Sequence, residues 1–298
     1  TEVRPEDPVN AHAAEQMGLL HDKLKAIGYT GHQLERYLVR LLFCLFAEDT
    51  GIFERGLFRD LLQLHTSEDG ANLAATLHQL FEVLDTPPER RLGNLPQHLA
   101  DFAYVNGALF EERLPIAGFD TDMRRMLLDA CDLDWSKISP AIFGSLFQSV
   151  MDVTARRDLG AHYTSETNIL KVVKSLFLDE LRAEFERVRS TRRRLEEFHG
   201  KLARLCFLDP ACGCGNFLVV TYRELRLLEL DVLKALYAEQ GMADVSAFIR
   251  VNVDQFYGIE YEEFPAQIAQ VAMWLVDHQM NILVSEAFGR YFVRLPLT

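Results

Sequence analysis

The chain has 298 residues, of which 49% are hydrophobic and 25% charged, and its formal net charge is −13 at pH 7. This length is enough for one large or two ordinary hydrophobic cores, and no apolar run reaches the roughly eighteen residues that a membrane-spanning helix needs. Because the charge balance is acidic, a nucleic-acid interface that covers the whole chain is disfavoured.

The termini and the cysteines bear on two questions, whether the chain is part of a longer protein and in which compartment we expect it. It begins at Thr1 without an initiator methionine or the apolar run of a signal peptide, and it ends at Thr298 without a helix-stop signal. We therefore expect it to be part of a longer protein. The five cysteines are odd in number and scattered, with no secretory feature beside them, so we expect no disulfide framework and a cytoplasmic location.

Helical periodicity dominates the first half of the chain. Apolar residues recur at intervals of three and four, and three of the patterns end at Gly28, at Gly51 and at the pair Pro87-Pro88. A loop-rich stretch follows that pair and extends to residue 119. The predicted helices cover residues 11–27, 33–48, 56–64, 72–84, 121–131 and 139–152. We assign residues 1–135 to a helical domain.

Strand patterns appear only in the second half. The short apolar run Leu205–Leu208 ends at Asp209-Pro210 and predicts a buried strand, and residues 251–259 predict a second one. Helices are predicted at 165–188, 216–238 and 264–283. Because strands and helices alternate, we expect a partial α/β domain with parallel strands over residues 136–298. The expected fold class is thus mostly α with a partial α/β region.

One basic concentration precedes the first predicted strand. It extends from Arg182 to Arg204, and acidic residues interleave with it at helical spacing. This pattern favours a solvated pair of helices with neutralising ion pairs. A phosphate-binding face remains the alternative.

A glycine-rich turn follows the first predicted strand. The ten residues Asp209–Leu218 read DPACGCGNFL, so a buried strand leads into a turn that opens a helix, the arrangement in which open α/β sheets bind nucleotides. A dinucleotide site would have glycine where Leu218 stands, which disfavours NAD and FAD. Cys212 and Cys214 form only half of a tetrahedral zinc set, so we expect no metal.

The whole string resembles motif I of the N6-adenine DNA methyltransferases, in which serine usually stands at the position of Cys214. The resemblance implies a Rossmann-like class I methyltransferase domain with S-adenosyl-L-methionine as its cofactor. It also places Asp209 near the methionine ammonium of the cofactor and the backbone of two glycines against the methionine moiety. The cofactor contacts that it implies in this loop are Asp209, Pro210, Ala211, Gly213, Gly215, Asn216 and Phe217.

A second segment, Gly160–Ser165, resembles motif X of the same enzymes. It departs from the usual pattern, since His162 replaces a tyrosine and Ser165 replaces a proline. The resemblance implies that Tyr163 and Thr164 contact the cofactor. Considered alone, Thr164 or Ser165 is better explained as a helix cap.

A third segment, Tyr257–Glu260, resembles motif II at the end of the second predicted strand. A carboxylate at that place accepts the ribose hydroxyls in nucleotide-binding folds, so the resemblance implies this role for Glu260. It also implies that Ile259 and Tyr261 flank the adenine. The alternative is that Glu260 is a helix-start carboxylate, stabilised by the helix dipole.

No catalytic loop accompanies these motifs. Adenine-N6 enzymes hold the flipped base with an Asn/Asp-Pro-Pro-Tyr/Phe sequence, whereas Pro87-Pro88 lies in the wrong register and precedes every cofactor motif. We therefore assign no catalytic residues and expect the chain by itself to be inactive, although the resemblance implies an adenine-specific DNA methyltransferase as the longer protein.

The resemblance extends over nearly the whole chain. Residues 10–116 resemble the helical spacer of MmeI-like restriction–modification proteins, and residues 269–297 also resemble that family. DNA is then the expected partner of the longer protein, and no membrane is expected. An alternative function is a helical interaction module joined to a regulatory nucleotide-binding half-domain without transfer chemistry.

Overall fold

The computed structural model describes residues 8–105, 109–141, 164–237 and 245–289. These residues divide into two compact units, which comprise residues 8–141 and 164–289. The first unit is helical, and the second combines helices with a two-stranded parallel sheet. The expected fold class, mostly α with a partial α/β region, is therefore confirmed.

The first unit contains every helix predicted between residues 11 and 131. Each end lies within three residues of its predicted position. The described part of the stretch 86–119 holds one short helix and one 3-10 turn, Pro88–Arg90. Of the helix predicted at 139–152, only residues 139–141 lie among those described. The helices are α1 (Pro8–Ala26), α2 (Gly31–Asp49), α3 (Leu57–Leu64), α4 (Leu73–Asp85), α5 (Gln97–Ala100) and α6 (Thr121–Cys131).

Helix α2 lies at the centre of the first unit and is buried along most of its length. Several of its polar side chains hold other segments of the unit. The buried guanidinium of Arg40 donates to the carbonyl oxygens of Leu109 and Glu112, at 2.8 and 2.7 Å. Arg40 also faces the rings of Phe81 and Phe110 at 5.4 Å. A buried charge is tolerated here because it is hydrogen-bonded and stacked on aromatic faces.

Two carboxylates at the end of α2 hold the starts of later elements. Glu48 Oε1 accepts from the backbone N–H groups of Phe58 and Arg59, at 2.6 and 3.1 Å, in the first turn of α3. Asp49 Oδ2 accepts from the backbone N–H of Trp135 at 2.7 Å, where a 3-10 turn begins. Both carboxylates satisfy helix-start donors that would otherwise lack partners. The acidic residues of this segment therefore have a structural explanation.

In the described part of the second unit, α-helices alternate with two short strands. Helix α7 (Glu166–Val173) continues through a π-helical turn (Lys174–Leu178) into α8 (Asp179–Val188) without a break, as the pattern over 165–188 predicted. The remaining elements are α9 (Arg192–Leu202), β1 (Phe207–Asp209), α10 (Asn216–Tyr237), β2 (Phe256–Gly258) and α11 (Glu263–Phe288).

Both predicted strands are present but shorter than predicted, and the prediction that β1 is buried is wrong, because among the described residues only one face of it is covered. β1 starts at Phe207 because the carbonyl of Leu205 accepts from the Gln255 side chain, at 2.8 Å, and does not join a ladder. β2 starts at Phe256 because Asn252 and Gln255 cap a 3-10 turn over Val253–Gln255. Side chains that hydrogen-bond to the backbone compete with strand pairing in this way.

The two strands pair in parallel, with Phe207 opposite Phe256, Leu208 opposite Tyr257 and Asp209 opposite Gly258. Phe207 and Phe256 stack at 5.0 Å between ring centroids, and Phe256 packs edge-on against Tyr222 of α10 at 5.1 Å. On the opposite face, Leu208 and Tyr257 are 62% and 54% exposed. The described helices therefore cover one face of the sheet.

The basic segment forms the solvated helix pair that the sequence predicted. Ion pairs within α8 and within α9, between these two helices, and from α8 to α10 neutralise most of its cations, which confirms that prediction. The pairs are Arg182–Glu224, Arg189–Glu186, Arg192–Glu196, Arg193–Glu197 and Lys201–Glu184.

A buried ionic network joins α10 to α11. The Arg226 guanidinium, on α10, donates to Asp277 Oδ1 and Asn281 Oδ1, both at 2.8 Å, and to the Tyr222 hydroxyl at 2.7 Å. The Tyr222 hydroxyl in turn donates to Asp277. Burial acts to lower the pKa of Arg226. The nearby Tyr222, Asp277 and Glu229 act in the opposite direction and outweigh burial, so the net shift of this pKa is upward.

Glu229 extends the network to α9. Its Oε2 lies 3.3 Å from Arg226 Nε without the alignment of a hydrogen bond, and its Oε1 is hydrogen-bonded to His199 Nε2 at 2.8 Å. The same Oε1 accepts from the backbone N–H groups of Arg250 and Val251, at 2.6 and 3.0 Å. One fully buried carboxylate thus connects α9, α10 and the segment that leads into β2.

No helix among the described residues is both long enough and apolar enough to cross a membrane.

Candidate functional site

The glycine-rich loop lies at the carboxyl ends of both strands. It follows β1 directly and leads into α10, while the segment 259–262 follows β2 and leads into α11. Two backbone hydrogen bonds join the segments, from Ile259 N–H to Asp209 O at 2.9 Å and from Cys212 N–H to Ile259 O at 3.0 Å. The structure therefore brings the motif I and motif II segments together, as expected for parallel strands that end at one sheet edge.

The Glu260 carboxylate bridges the two segments. Its Oε2 accepts from Gly213 N–H at 2.9 Å, and its Oε1 accepts from Glu262 N–H at 3.0 Å. Since Glu262 immediately precedes α11, the carboxylate does lie at a helix start, as the alternative interpretation requires. The contact with Gly213 is additional and fixes the carboxylate against the glycine-rich loop.

The two glycines of the loop have different surroundings. Both have positive φ, 54° at Gly213 and 78° at Gly215, a conformation that favours glycine. A Cβ at Gly215 would lie 2.8 Å from the Cβ of Ala269, so glycine is needed there for the loop to pack on α11. A Cβ at Gly213 would meet nothing within 4 Å. The face of the loop at Gly213 is therefore open to a ligand.

Gly258 and Cys212 make a close contact that the sequence analysis did not assign. A Cβ at Gly258 would lie 2.6 Å from Cys212 Sγ and 3.2 Å from Leu218 Cδ1, so no larger residue fits between the end of β2 and the loop. The only signal in the sequence is the glycine within the Tyr257–Glu260 string. Its role here is to let the two segments approach.

Two polar groups at the loop retain unused acceptor capacity. Asp209 Oδ1 accepts from Ala211 N–H at 3.1 Å, and its second oxygen has no protein partner among the described residues. Asn216, the first residue of α10, has a buried side-chain oxygen without a hydrogen-bond partner in the described part of the chain. A buried acceptor such as the Asn216 oxygen normally has a donor, so this group points to a ligand with hydrogen-bond donors. The half-buried Asp209 carboxylate has an oxygen available beside it.

The electrostatic environment of the loop is negative. Burial, together with the charges of Asp209 and Glu260, raises the pKa of the Cys212 thiol, which therefore stays protonated at neutral pH. A negative site favours a ligand that carries positive charge on the side that faces the loop. Among the described residues, no cluster of histidine, cysteine and carboxylate groups could hold a metal ion.

The predicted motif X is only partly described. Tyr163 lies outside the described residues, whereas Thr164 is described and half-buried. Ser165 occupies the position before α7, but its side chain makes no capping hydrogen bond. The start of α7 is joined to α10 by an ion pair between Glu166 and Arg223, at 2.7 Å. Because α10 begins at the glycine-rich loop, this ion pair links the motif X helix to the helix of motif I.

The other predicted contact residues differ in exposure. Pro210 and Ala211 are exposed, and Phe217 is half-buried. Ile259 and Tyr261, predicted to flank the adenine, are 57% and 96% exposed. Their side chains are accessible to a ligand next to Glu260.

Comparison with known proteins gives two family matches. The model described as "MmeI, helicase spacer domain" matches residues 32–110, and the model described as "MmeI, DNA-methyltransferase domain" matches residues 185–298. The first match falls within the first unit and the second within the β1–β2 unit and the residues that follow it.

Individual relatives agree with these matches. The chain is 40% identical over 301 residues to DNA methyltransferase A of Bacillus subtilis, covering 99% of this chain and 34% of the relative. It is 26% identical to a putative type II restriction enzyme and methyltransferase of Methanocaldococcus jannaschii, covering 86% of this chain and 26% of that protein. The chain therefore spans about a third or less of the length of these relatives.

A solved structure is similar over nearly the whole chain. It is the type IIL restriction–modification enzyme MmeI in complex with DNA, with a TM-score of 0.88 and 64% sequence identity. The similarity covers 98% of this chain and 39% of the MmeI chain.

Proposed function

This chain belongs to the MmeI-like restriction–modification proteins, with a helicase-spacer segment and part of a DNA-methyltransferase domain, and from that membership we propose that its second unit binds S-adenosyl-L-methionine for a DNA adenine-N6 methyltransferase. The observation that carries the proposal is the Glu260 carboxylate, held at 2.9 Å from Gly213 N–H at the carboxyl ends of two parallel strands. This is the edge at which open α/β sheets bind nucleotides.

The residues of the loop fit such a cofactor. Each Glu260 oxygen accepts one backbone N–H and keeps lone pairs for the ribose hydroxyls. The second oxygen of Asp209 is available to the cofactor ammonium, and the open face at Gly213 admits the methionine moiety close to the backbone. The exposed ring of Tyr261 is available to cover the adenine. Thr164 and Tyr163 complete the proposed contacts.

DNA is the proposed substrate of the protein to which this chain contributes. The support is that MmeI was solved with DNA and that the Bacillus relative is named a DNA methyltransferase. Adenine-N6 specificity rests on the motif I and motif II strings, Asp209–Leu218 and Tyr257–Glu260.

Cofactor binding is tested by calorimetry with S-adenosylhomocysteine. Because the described sheet has two strands and its edges are unpaired, the pocket is less preorganised than a complete one, and we expect a dissociation constant in the high-micromolar range, on the order of −5 to −6 kcal/mol. Asp209→Asn should weaken binding, whereas Asp254→Asn, at an exposed position before β2, should not. Equal affinities for both variants and the unmodified chain contradict the assignment of Asp209.

Transfer by the 298 residues alone is a separate question. The sequence contains no Asn/Asp-Pro-Pro-Tyr/Phe loop, and that loop holds the target amine. We propose that these residues bind cofactor without methylating DNA. Incubation with radiolabelled cofactor and duplexes of varied sequence should leave the DNA unlabelled, and incorporation above a heat-treated control would contradict this.

A further inference from the structure

Two arginines from different segments converge beside α9. Nη1 of Arg204 and Nη1 of Arg250 lie 3.6 and 3.7 Å from the same point, the position that a Cβ at Gly200 would occupy. Arg204 precedes β1 and Arg250 precedes β2, so the pair lies toward the amino ends of the strands. The proposed cofactor site is at their carboxyl ends. The arginine pair is therefore a separate feature.

Among the described residues, neither arginine of this pair has a carboxylate partner. Both are exposed, and no described carboxylate oxygen lies within 4 Å of either guanidinium. This differs from the preceding basic residues, of which Arg189, Arg193 and Lys201 each pair with a glutamate. Two like charges that converge without a counter-charge repel each other, and an anion between them removes the repulsion.

The backbone on which each arginine stands is held by a buried side chain. Glu229 Oε1 accepts from Arg250 N–H at 2.6 Å, and Glu229 is itself 1% exposed. Gln255 Nε2 donates to the carbonyl oxygens of Leu202 and Leu205, at 2.9 and 2.8 Å, on either side of Arg204. Tertiary contacts therefore fix the backbone positions from which the two side chains approach each other.

We propose that Arg204 and Arg250 together bind a phosphate group, with the space at Gly200 left for its oxygens. Guanidinium groups present planar pairs of N–H donors that match phosphate oxygens, and two of them from opposite sides can hold one phosphate. The phosphate belongs to a nucleic-acid backbone or to a free polyphosphate. The inference is independent of the cofactor site, and binding of S-adenosylhomocysteine should be the same in all variants below.

Removal of the pair is compared with removal of two paired arginines. Arg204→Ala/Arg250→Ala and Arg189→Ala/Arg193→Ala each remove two positive charges from the surface. Binding of a fluorescent DNA duplex is followed by anisotropy across a salt series. Each lost phosphate contact lowers the magnitude of the salt slope by about 0.9. Because the pair is proposed to hold one phosphate, the first variant should show a slope reduced by about one such step, and the second variant a smaller change.

A substitution at Gly200 tests the same site while both arginines stay in place. Gly200→Asp places an internal carboxylate between the two guanidinium groups and should abolish phosphate binding. Gly200→Asn has nearly the same shape without the charge and serves as its control. An equal loss in both variants indicates a steric effect and contradicts the electrostatic site.

A second probe, inorganic pyrophosphate, distinguishes the sources of the phosphate. Loss of DNA binding confined to the Arg204/Arg250 and Gly200→Asp variants supports a nucleic-acid backbone as the ligand. Loss of thermal stabilisation by pyrophosphate in those variants, with DNA binding unchanged, supports a free polyphosphate. If neither probe distinguishes these variants from their matched controls, the proposal is wrong.

Discussion

Replacement of Glu260 by alanine tests the central contact of the candidate site. The carboxylate accepts backbone N–H groups from Gly213 and Glu262 and, in the proposed complex, the ribose hydroxyls. A hydrogen bond to a charged group contributes about 1.5–3 kcal/mol, and we take the lower value for each of the two ribose bonds because the side chain is half-buried and partly solvated. The loss in cofactor affinity is then about 3 kcal/mol, or roughly a hundredfold.

The assay is calorimetry with S-adenosylhomocysteine, in which binding heat should disappear at millimolar ligand for Glu260→Ala. Glu260→Gln keeps one side-chain oxygen and should lose about tenfold, equivalent to roughly one such hydrogen bond. Glu263→Gln removes the same charge from the exposed first turn of α11 and should change affinity by less than about threefold, in keeping with a surface helix-dipole effect. Affinity for Glu260→Ala equal to that of the unmodified chain, with its circular dichroism unchanged, would refute the ribose assignment.

Two further predictions concern stability. Gly215→Ala adds a side chain at φ 78° and 2.8 Å from the Ala269 Cβ, and it should lower the free energy of unfolding of the second unit by about 2–4 kcal/mol in urea. Gly213→Ala has open space around the added Cβ and should lower it by about 1–2 kcal/mol. Equal losses for the two variants would contradict the packing argument. Burial raises the pKa of Glu48 above its ordinary 4.5, despite the backbone N–H groups that it accepts. The protonated form is therefore favoured by folding, so this group stabilises the first unit below about pH 4.5 and that contribution is lost as pH rises through the raised pKa. Glu48→Gln should flatten this part of the stability–pH curve and exposed Glu54→Gln should not, as followed by urea unfolding across pH; an unchanged curve for Glu48→Gln would show that its ionisation is not coupled to folding.

The sequence predicted the helices and the meeting of the two motif segments with little error. Helices follow from apolar periodicity, and the position of Glu260 near Gly213 follows from two parallel strands that end at one edge. The strand boundaries were wrong because they depend on single side-chain contacts. The Gln255 side chain donates to the carbonyl of Leu205 and also closes a turn before β2. The pattern of apolar residues predicts neither contact.

Contacts between segments far apart in the chain also could not be predicted from the sequence. Arg250 lies 46 positions after Arg204, and only the fold brings their guanidinium groups to the same space beside Gly200. No role was predicted for Arg226 and Glu229 from the sequence, and both are nearly fully buried. Such pairings depend on how α9, α10 and α11 pack, and the spacing within one helix does not determine this.

The network around Arg226 and Glu229 restricts how this unit can change by mutation. A substitution that removes Arg226 leaves Asp277 and Glu229 as buried carboxylates without their cation, and one that removes Glu229 releases both His199 and the backbone of the segment before β2. Breaking a buried ion pair from one side costs about 3–5 kcal/mol, whereas replacement of the whole set by apolar residues can be neutral. A large part of the usual stability of a domain would be lost at the first step. Sequence drift at these positions therefore requires several substitutions at once, and designs that graft new loops onto this unit should keep the set intact or replace it as a whole.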